Sequence, residues 1–122
     1  MIIDGKKEAS ILRDAIKKEI NFLKEKMKQV PNLSVILIGN YVPSEIYVKN
    51  KIKKSKEVGI DADIIRYPEK VSENEVLKKI NELNNNNKVS GILVQLPLPK
   101  QISKEKIINL IDPLKDVDGF HP

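Results

Sequence analysis

The residues best suited to chemistry lie on one predicted helix, in the stretch VPSEIYVKNKIKKSKEVG at 42–59, which carries five lysines. An α-helix turns by about 100° per residue, so these lysines cannot all face the same way. Lys51 alone projects onto the face that also carries Val48 and Ile52. The other four project onto the opposite, polar face: Lys49, Lys53, Lys54 and Lys56.

Two interpretations of Lys51 follow from this position. Its methylene stem can cross the apolar face so that the ammonium reaches water. Alternatively it lies in a partly buried cleft, where burial disfavours the charged amine and makes it usable as a base or proton donor. Tyr47, one turn earlier, either packs at the edge of the core or offers a ligand its ring and hydroxyl. The projection alone leaves both pairs of alternatives open.

A second distinctive stretch is GILVQLPLP at residues 91–99. Gln95 is a polar residue at the end of an apolar run, and a buried amide needs hydrogen-bond partners. It therefore either caps a strand end or belongs to a site. Pro97 and Pro99 stiffen the backbone that follows, and one of the X-Pro bonds there could be cis.

The stretch KDVDGFHP at 115–122 faintly resembles a calcium loop through Asp116 and Asp118. Calcium is rejected, because position 114 is Leu and the later ligands of such a loop are missing. An Asp-Gly turn is the simplest interpretation of Asp118. With His121 as the single histidine and no cysteine, we expect no metal site built from histidine or thiolate.

The elements that must position these residues alternate between helix and strand. Apolar residues recur every three or four positions in residues 6–29, which predicts a helix. The sequence Ser72-Glu-Asn-Glu75 is a capping-box signature for another helix. Short apolar runs predict three strands, and a last helix is predicted after them: strands at 33–39, 60–67 and 89–96, and the helix at 103–110.

This alternation predicts a single α/β domain over residues 1–122, with three α/β/α layers and a mainly parallel sheet. In such sheets ligands gather at the carboxyl ends of the strands. We therefore expect the turn after Gly39, the segment after Tyr67 and the stretch from Gln95 to Pro99 to share one edge.

Composition narrows the classes of partner. The net charge of +5 favours phosphate or carboxylate partners, so a basic α/β module that binds nucleic acid is the alternative function. However, all but two of the 22 basic residues are lysines, and three tyrosines with two phenylalanines are too few for a base-stacking platform. No apolar run approaches the roughly 20 residues of a membrane span. Without cysteine or a signal-peptide pattern, a cytoplasmic protein with no nucleic-acid or membrane partner is expected.

Three segments, SEIYVKNK, GILVQLPLP and PLKDVDGFHP, resemble in order and spacing the signature segments of the bifunctional methylenetetrahydrofolate dehydrogenase/cyclohydrolase family. IIDGK, LSVILIGN and EVGI fit as well, so the resemblance spans nearly the whole chain. It implies the N-terminal, folate-binding catalytic domain, cut at the junction to a Rossmann NAD(P)-binding domain. That second domain is expected to be absent, since the chain has no Gly-rich dinucleotide fingerprint.

The resemblance implies an oxidoreductase and hydrolase of one-carbon metabolism and purine biosynthesis. Such an enzyme oxidises 5,10-methylenetetrahydrofolate with NADP, or with NAD in some members, and hydrolyses the 5,10-methenyl product to 10-formyltetrahydrofolate. Without the nicotinamide side the fragment is expected to lack dehydrogenase activity, and it could be an inert scaffold that binds folate weakly. A homodimer is expected for the intact enzyme and a monomer for the fragment. Any fused formyl-ligase activity is left open.

By the same resemblance each site residue receives a role. Lys51 is the essential catalytic residue of hydrolysis, assisting the addition of water and the movement of protons. Tyr47 stacks against the folate and helps position Lys51, while Gln95 hydrogen-bonds Lys51. Asp118 anchors the pterin, whose adjacent N–H donors suit a carboxylate. The remaining implied substrate contacts come from Ser44, Pro97 and Pro99.

Overall fold

The structure, a computed structural model, describes residues 5–27 and 30–117, and within the first helix it leaves the side chains of residues 5–9, 23, 24, 26 and 27 undescribed. The predicted alternation of helices and strands is confirmed. The elements are α1 (Gly5–Met27), β1 (Asn32–Ile38), α2 (Val42–Glu57), β2 (Asp61–Tyr67), α3 (Glu73–Asn84), β3 (Gly91–Val94) and α4 (Lys104–Leu110).

The three strands form one parallel sheet with β1 in the middle, in the order β2-β1-β3. Asn32 of β1 is paired with Asp61 of β2, and Leu33 with Gly91 of β3. β3 is shorter than the predicted run of 89–96, because the chain turns away before Pro97, a residue without an N–H for the ladder. The central position of β1 explains its nearly continuous apolar sequence.

Successive side chains of β1 point to opposite faces of the sheet, and each face is covered by helix. On one face Val35 and Leu37 pack with Val48 of α2. On the other face Ile36 and Ile38 pack with residues of α3 and α4, among them Val76, Ile80, Leu83 and Ile107. The predicted three-layer α/β/α arrangement is confirmed.

α2 is the helix that matters most for the site. It begins after Tyr41, whose side chain makes no capping hydrogen bond, and Pro43 occupies its first turn, where a missing N–H costs little. Gly59 follows its end with a φ of 91°, a conformation that suits glycine and lets the chain turn into β2. The Ser72 hydroxyl caps the start of α3, as expected, and the Ser103 hydroxyl caps the start of α4.

α1 forms as predicted, but part of its apolar stripe is exposed. Ile20 is buried, whereas Leu12 is 61% exposed and Ile16 is also exposed. The side chains of Ala9, Leu23 and Met27, the other apolar residues of this repeat, lie outside the described part. Periodicity therefore predicted this helix without indicating what its apolar face contacts. Within residues 5–27 and 30–117 no helix is both long and apolar enough to cross a membrane.

Candidate active site

The carboxyl ends of the strands surround an open cleft of about 380 Å³. The turn after β1 contributes Gly39 and Asn40, the segment after β2 contributes Glu69, and the segment after β3 contributes Pro97 and Pro99. The expected meeting of these three segments at one edge is confirmed. Both prolines thus line the wall of a cleft, and the Leu96–Pro97 peptide bond is cis.

Lys51 is the half-buried lysine of α2, and the four others are exposed, as helical projection predicted. Its Nζ donates a hydrogen bond of 2.9 Å to Gln95 Oε1. The side chain therefore does not simply extend past the core into water. A lysine nitrogen has several N–H bonds, and Gln95 accepts one of them, so further donor capacity remains for water or a ligand.

Gln95 makes hydrogen bonds through both its backbone and its side chain. Its backbone N–H donates to Ile36 O over 3.0 Å and continues the ladder between β1 and β3. Its side-chain Oε1 accepts from Lys51, while its Nε2 donates to Leu96 O over 3.2 Å. The two ends of the amide thus have opposite partners, which orients it.

Ser44 lies in the first turn of α2 and is only 3% exposed. Its hydroxyl donates to Leu96 O over 3.2 Å, across 52 residues of chain. Sequence reasoning did not find Leu96 as a site residue, because its contribution is a backbone carbonyl and carries no side-chain signal.

Tyr47 is not a core residue, since 59% of it is exposed. Its side chain is accessible from solvent on the same helix as Lys51. The start of α2 is held to β2 by an ion pair in which Arg66 donates to both carboxylate oxygens of Glu45, with 3.0 Å between Nη2 and Oε2. The Arg66 guanidinium holds the pKa of the Glu45 carboxyl below its usual value.

Asp118 lies outside the described residues, but the chain leading to it is well anchored. Ile92 N donates to Lys115 O over 2.8 Å, and Asp116 pairs with Ile92 as a parallel bridge. Lys115 Nζ donates to three carbonyls at the end of α3, those of Leu83, Asn84 and Asn86. Sequence reasoning missed this role of Lys115, because its acceptors lie about 30 residues away in the chain.

The described part of the chain contains no group of three or more His, Asp or Glu side chains placed to hold a metal ion. The arrangement around Lys51 combines an amine held by an amide with an exposed aromatic ring on the same helix.

Comparison with known proteins shows what the chain as a whole is similar to. The family model described as tetrahydrofolate dehydrogenase/cyclohydrolase, catalytic domain, matches residues 3–118. The chain is 56% identical over 122 residues to the bifunctional protein FolD of Pelagibacter ubique, covering all of this chain and 43% of that protein.

Two solved structures share the fold. The crystal structure of the bifunctional FolD methylenetetrahydrofolate dehydrogenase/cyclohydrolase from Campylobacter jejuni has a TM-score of 0.94 at 44% identity, covering 98% of this chain and 42% of that one. That of the Trypanosoma brucei FolD, described as complexed with NADP cofactor and inhibitor, has a TM-score of 0.89 at 30% identity, covering 97% and 40%. The chain thus spans about two fifths of the length of the relatives it matches.

Proposed function

The chain belongs to the tetrahydrofolate dehydrogenase/cyclohydrolase family, and from this premise we propose that it is the folate-binding catalytic domain of a bifunctional enzyme. The full-length enzyme oxidises 5,10-methylenetetrahydrofolate to 5,10-methenyltetrahydrofolate and hydrolyses that product to 10-formyltetrahydrofolate. The names of the relatives support both activities, and the match to the catalytic-domain model supports the assignment of the folate site to these residues.

The observation that carries the proposal is the hydrogen bond from Lys51 Nζ to Gln95 Oε1. In the hydrolytic step water adds to the bridging carbon of the methenyl cation and loses a proton. The bond from that carbon to N5 then breaks, N5 takes up a proton, and the formyl group stays on N10. Lys51 Nζ assists the addition of water and the movement of the proton.

Gln95 holds the amine in place for this work. Its Oε1 accepts one N–H of Lys51. This hydrogen bond restricts the positions that Nζ can adopt at the end of its flexible side chain. Either the neutral amine or the ammonium can donate to this oxygen, so the contact survives a proton transfer. Accurate placement of a proton-transferring group is itself a large source of rate.

The remaining residues bind the substrate or shape its cleft. The exposed ring of Tyr47 stacks against the folate, and Pro97 and Pro99 form the cleft wall. We assign Asp118 to the pterin, whose neighbouring N–H groups fit the two oxygens of a carboxylate. Asp116 pairs in parallel with Ile92, so the segment that leads to Asp118 runs alongside β3 in the direction of Gln95. This course of the chain supports the assignment. The role of Ser44 is treated separately below.

We propose NADP as the cofactor of the full-length enzyme, since the Trypanosoma relative is described as complexed with it. When bound, NADP would supply hydride acceptance from the methylene carbon. We assign the cofactor to the part of the relatives that this chain does not match, so the residues of this chain would contribute the folate side of that reaction. A cytoplasmic location and a homodimeric full-length enzyme stay predictions.

The test is an assay of the full-length protein with 5,10-methenyltetrahydrofolate and, separately, with 5,10-methylenetetrahydrofolate and NADP. Conversion of both substrates is expected, and failure to convert either would show the proposal to be wrong. Neither the family match nor the site supports the nucleic-acid-binding alternative. A titration with duplex and single-stranded DNA across a salt series would detect it as binding that weakens with salt.

A further inference from the structure

The carbonyl oxygen of Leu96 accepts two hydrogen bonds from side chains on different elements. One comes from Ser44 Oγ and the other from Gln95 Nε2, each over 3.2 Å. A carbonyl has two lone pairs, so both donors can be accommodated. Since Ser44 is buried and its hydroxyl proton is directed at this carbonyl, the hydroxyl is poorly placed to contact a ligand directly.

α2 is attached to the end of β3 at two points. Ser44 bonds to Leu96 O, and Lys51 bonds to the side chain of the adjacent Gln95. The two helix residues are seven positions apart, which places them on nearly the same face about two turns from each other. The hydrogen bond of Ser44 to Leu96 O therefore limits the positions from which Lys51 can bond to Gln95.

The orientation of the Gln95 amide decides whether Lys51 is held. With Nε2 on the Leu96 carbonyl, Oε1 faces Lys51 and accepts from it. If the amide were reversed, its NH₂ group would face the N–H bonds of Lys51, donor against donor, and the contact would be lost. The position of the Leu96 carbonyl thus selects the productive orientation.

We propose that Ser44 is a positioning residue, which holds the Leu96 carbonyl where it orients the Gln95 amide and, through that amide, Lys51 Nζ. The inference rests on the proposed role of Lys51 in hydrolysis. It predicts a loss in turnover and not in substrate affinity. Because small misplacements of a reacting group are costly, we expect Ser44→Ala to lower kcat by about 10- to 100-fold with KM within about twofold.

Ser34 supplies a matched control, since it is equally buried at 4% exposure and its hydroxyl donates to Asn32 Oδ1 away from the site. The experiment compares Ser44→Ala, Ser44→Cys and Ser34→Ala in the full-length protein. It measures kcat and KM for hydrolysis and the thermal midpoint of each variant. Cysteine keeps a weak donor and should recover part of the turnover, whereas Ser34→Ala should retain kcat at a similar loss of thermal stability.

Nuclear magnetic resonance tests without an activity assay whether Ser44 orients the Gln95 side-chain amide. The resonance of this amide is assigned from its disappearance in Gln95→Glu. Ser44→Ala should shift this resonance, and Ser34→Ala should not. An unshifted amide in Ser44→Ala, wild-type kcat, or a rise in KM alone would each overturn the proposal. If the wild-type protein fails to hydrolyse the substrate, the proposed function is wrong, and the amide resonance still decides whether Ser44 orients Gln95.

Discussion

Lys51 Nζ and Gln95 Oε1 lie 2.9 Å apart although 44 residues separate them in the chain. The contact exists because β3 lies next to β1 in the sheet, and α2 packs on the face that also carries Leu93 of β3. α2 directs Lys51 towards the sheet, and the end of β3 places Gln95 beneath it. The amine of Lys51 is thus held by the topology of the domain as much as by its local sequence.

Replacing Gln95 with Met should keep the volume of the side chain and remove the acceptor for Lys51. Loss of a hydrogen bond to a charged or proton-transferring group lowers the rate by roughly tenfold or more when that bond stabilises the transition state. We therefore expect a reduced kcat for hydrolysis, measured from the disappearance of methenyltetrahydrofolate. Unchanged turnover in Gln95→Met would contradict the assigned role.

Gln101 offers a comparison for that variant. Its Nε2 donates to the carbonyls of Glu69 and Val71, on the segment after β2. Gln101→Met should lower the thermal midpoint, because two carbonyls lose a donor, while kcat stays closer to the wild-type value than in Gln95→Met.

The acid stability of the fold should depend on Glu73. The backbone N–H of Ser103 donates to its Oε2 over 2.7 Å and Lys106 Nζ to its Oε1 over 3.2 Å, and these contacts lower the pKa of Glu73 below its ordinary 4.5. A carboxyl with a lowered folded-state pKa stabilises the protein above its unfolded-state pKa. That contribution is lost as the pH falls through the folded-state value.

Urea unfolding at a series of pH values tests this. Glu73→Gln should be less stable than wild type at neutral pH, and the difference should shrink as the pH falls below 4.5. Lys106→Met, which removes the smaller of the two contacts, should retain most of the pH dependence. If the difference in free energy of unfolding between wild type and Glu73→Gln does not change with pH, the ionisation of Glu73 contributes nothing to stability.

Residue 91 should have to be glycine, because its neighbours leave no room for a side chain. A Cβ at this position would lie 2.6 Å from Val117 Cγ1 and 3.3 Å from Leu33 Cδ1. Overpacking of this kind typically costs about 1–3 kcal/mol, so Gly91→Ala should lower the free energy of unfolding by that amount. Val117 is 53% exposed, and Val117→Ala in the Gly91→Ala background should recover much of the loss. A double variant as unstable as Gly91→Ala would mean that the clash lies elsewhere.

The sequence predicted what depends on local patterns. Helical period identified Lys51 among five lysines, because the face of one helix is a local property. The choice between an ammonium in water and an amine held by Gln95 depended on the pairing of distant strands, so periodicity could not settle it. The same limit applies to the Leu96 carbonyl and to the exposed Leu12 and Ile16 of α1, whose surroundings are set by tertiary packing.

The hydrolytic activity of Lys51→Met in the full-length protein tests the central claim most directly, with Lys53→Met as the control on the exposed face of the same helix. Removing a general acid or base typically costs about 10²- to 10⁴-fold, so Lys51→Met should lose hydrolysis by this factor while still binding folate. Lys53→Met should behave as wild type. Hydrolysis by Lys51→Met at the wild-type rate would contradict the account.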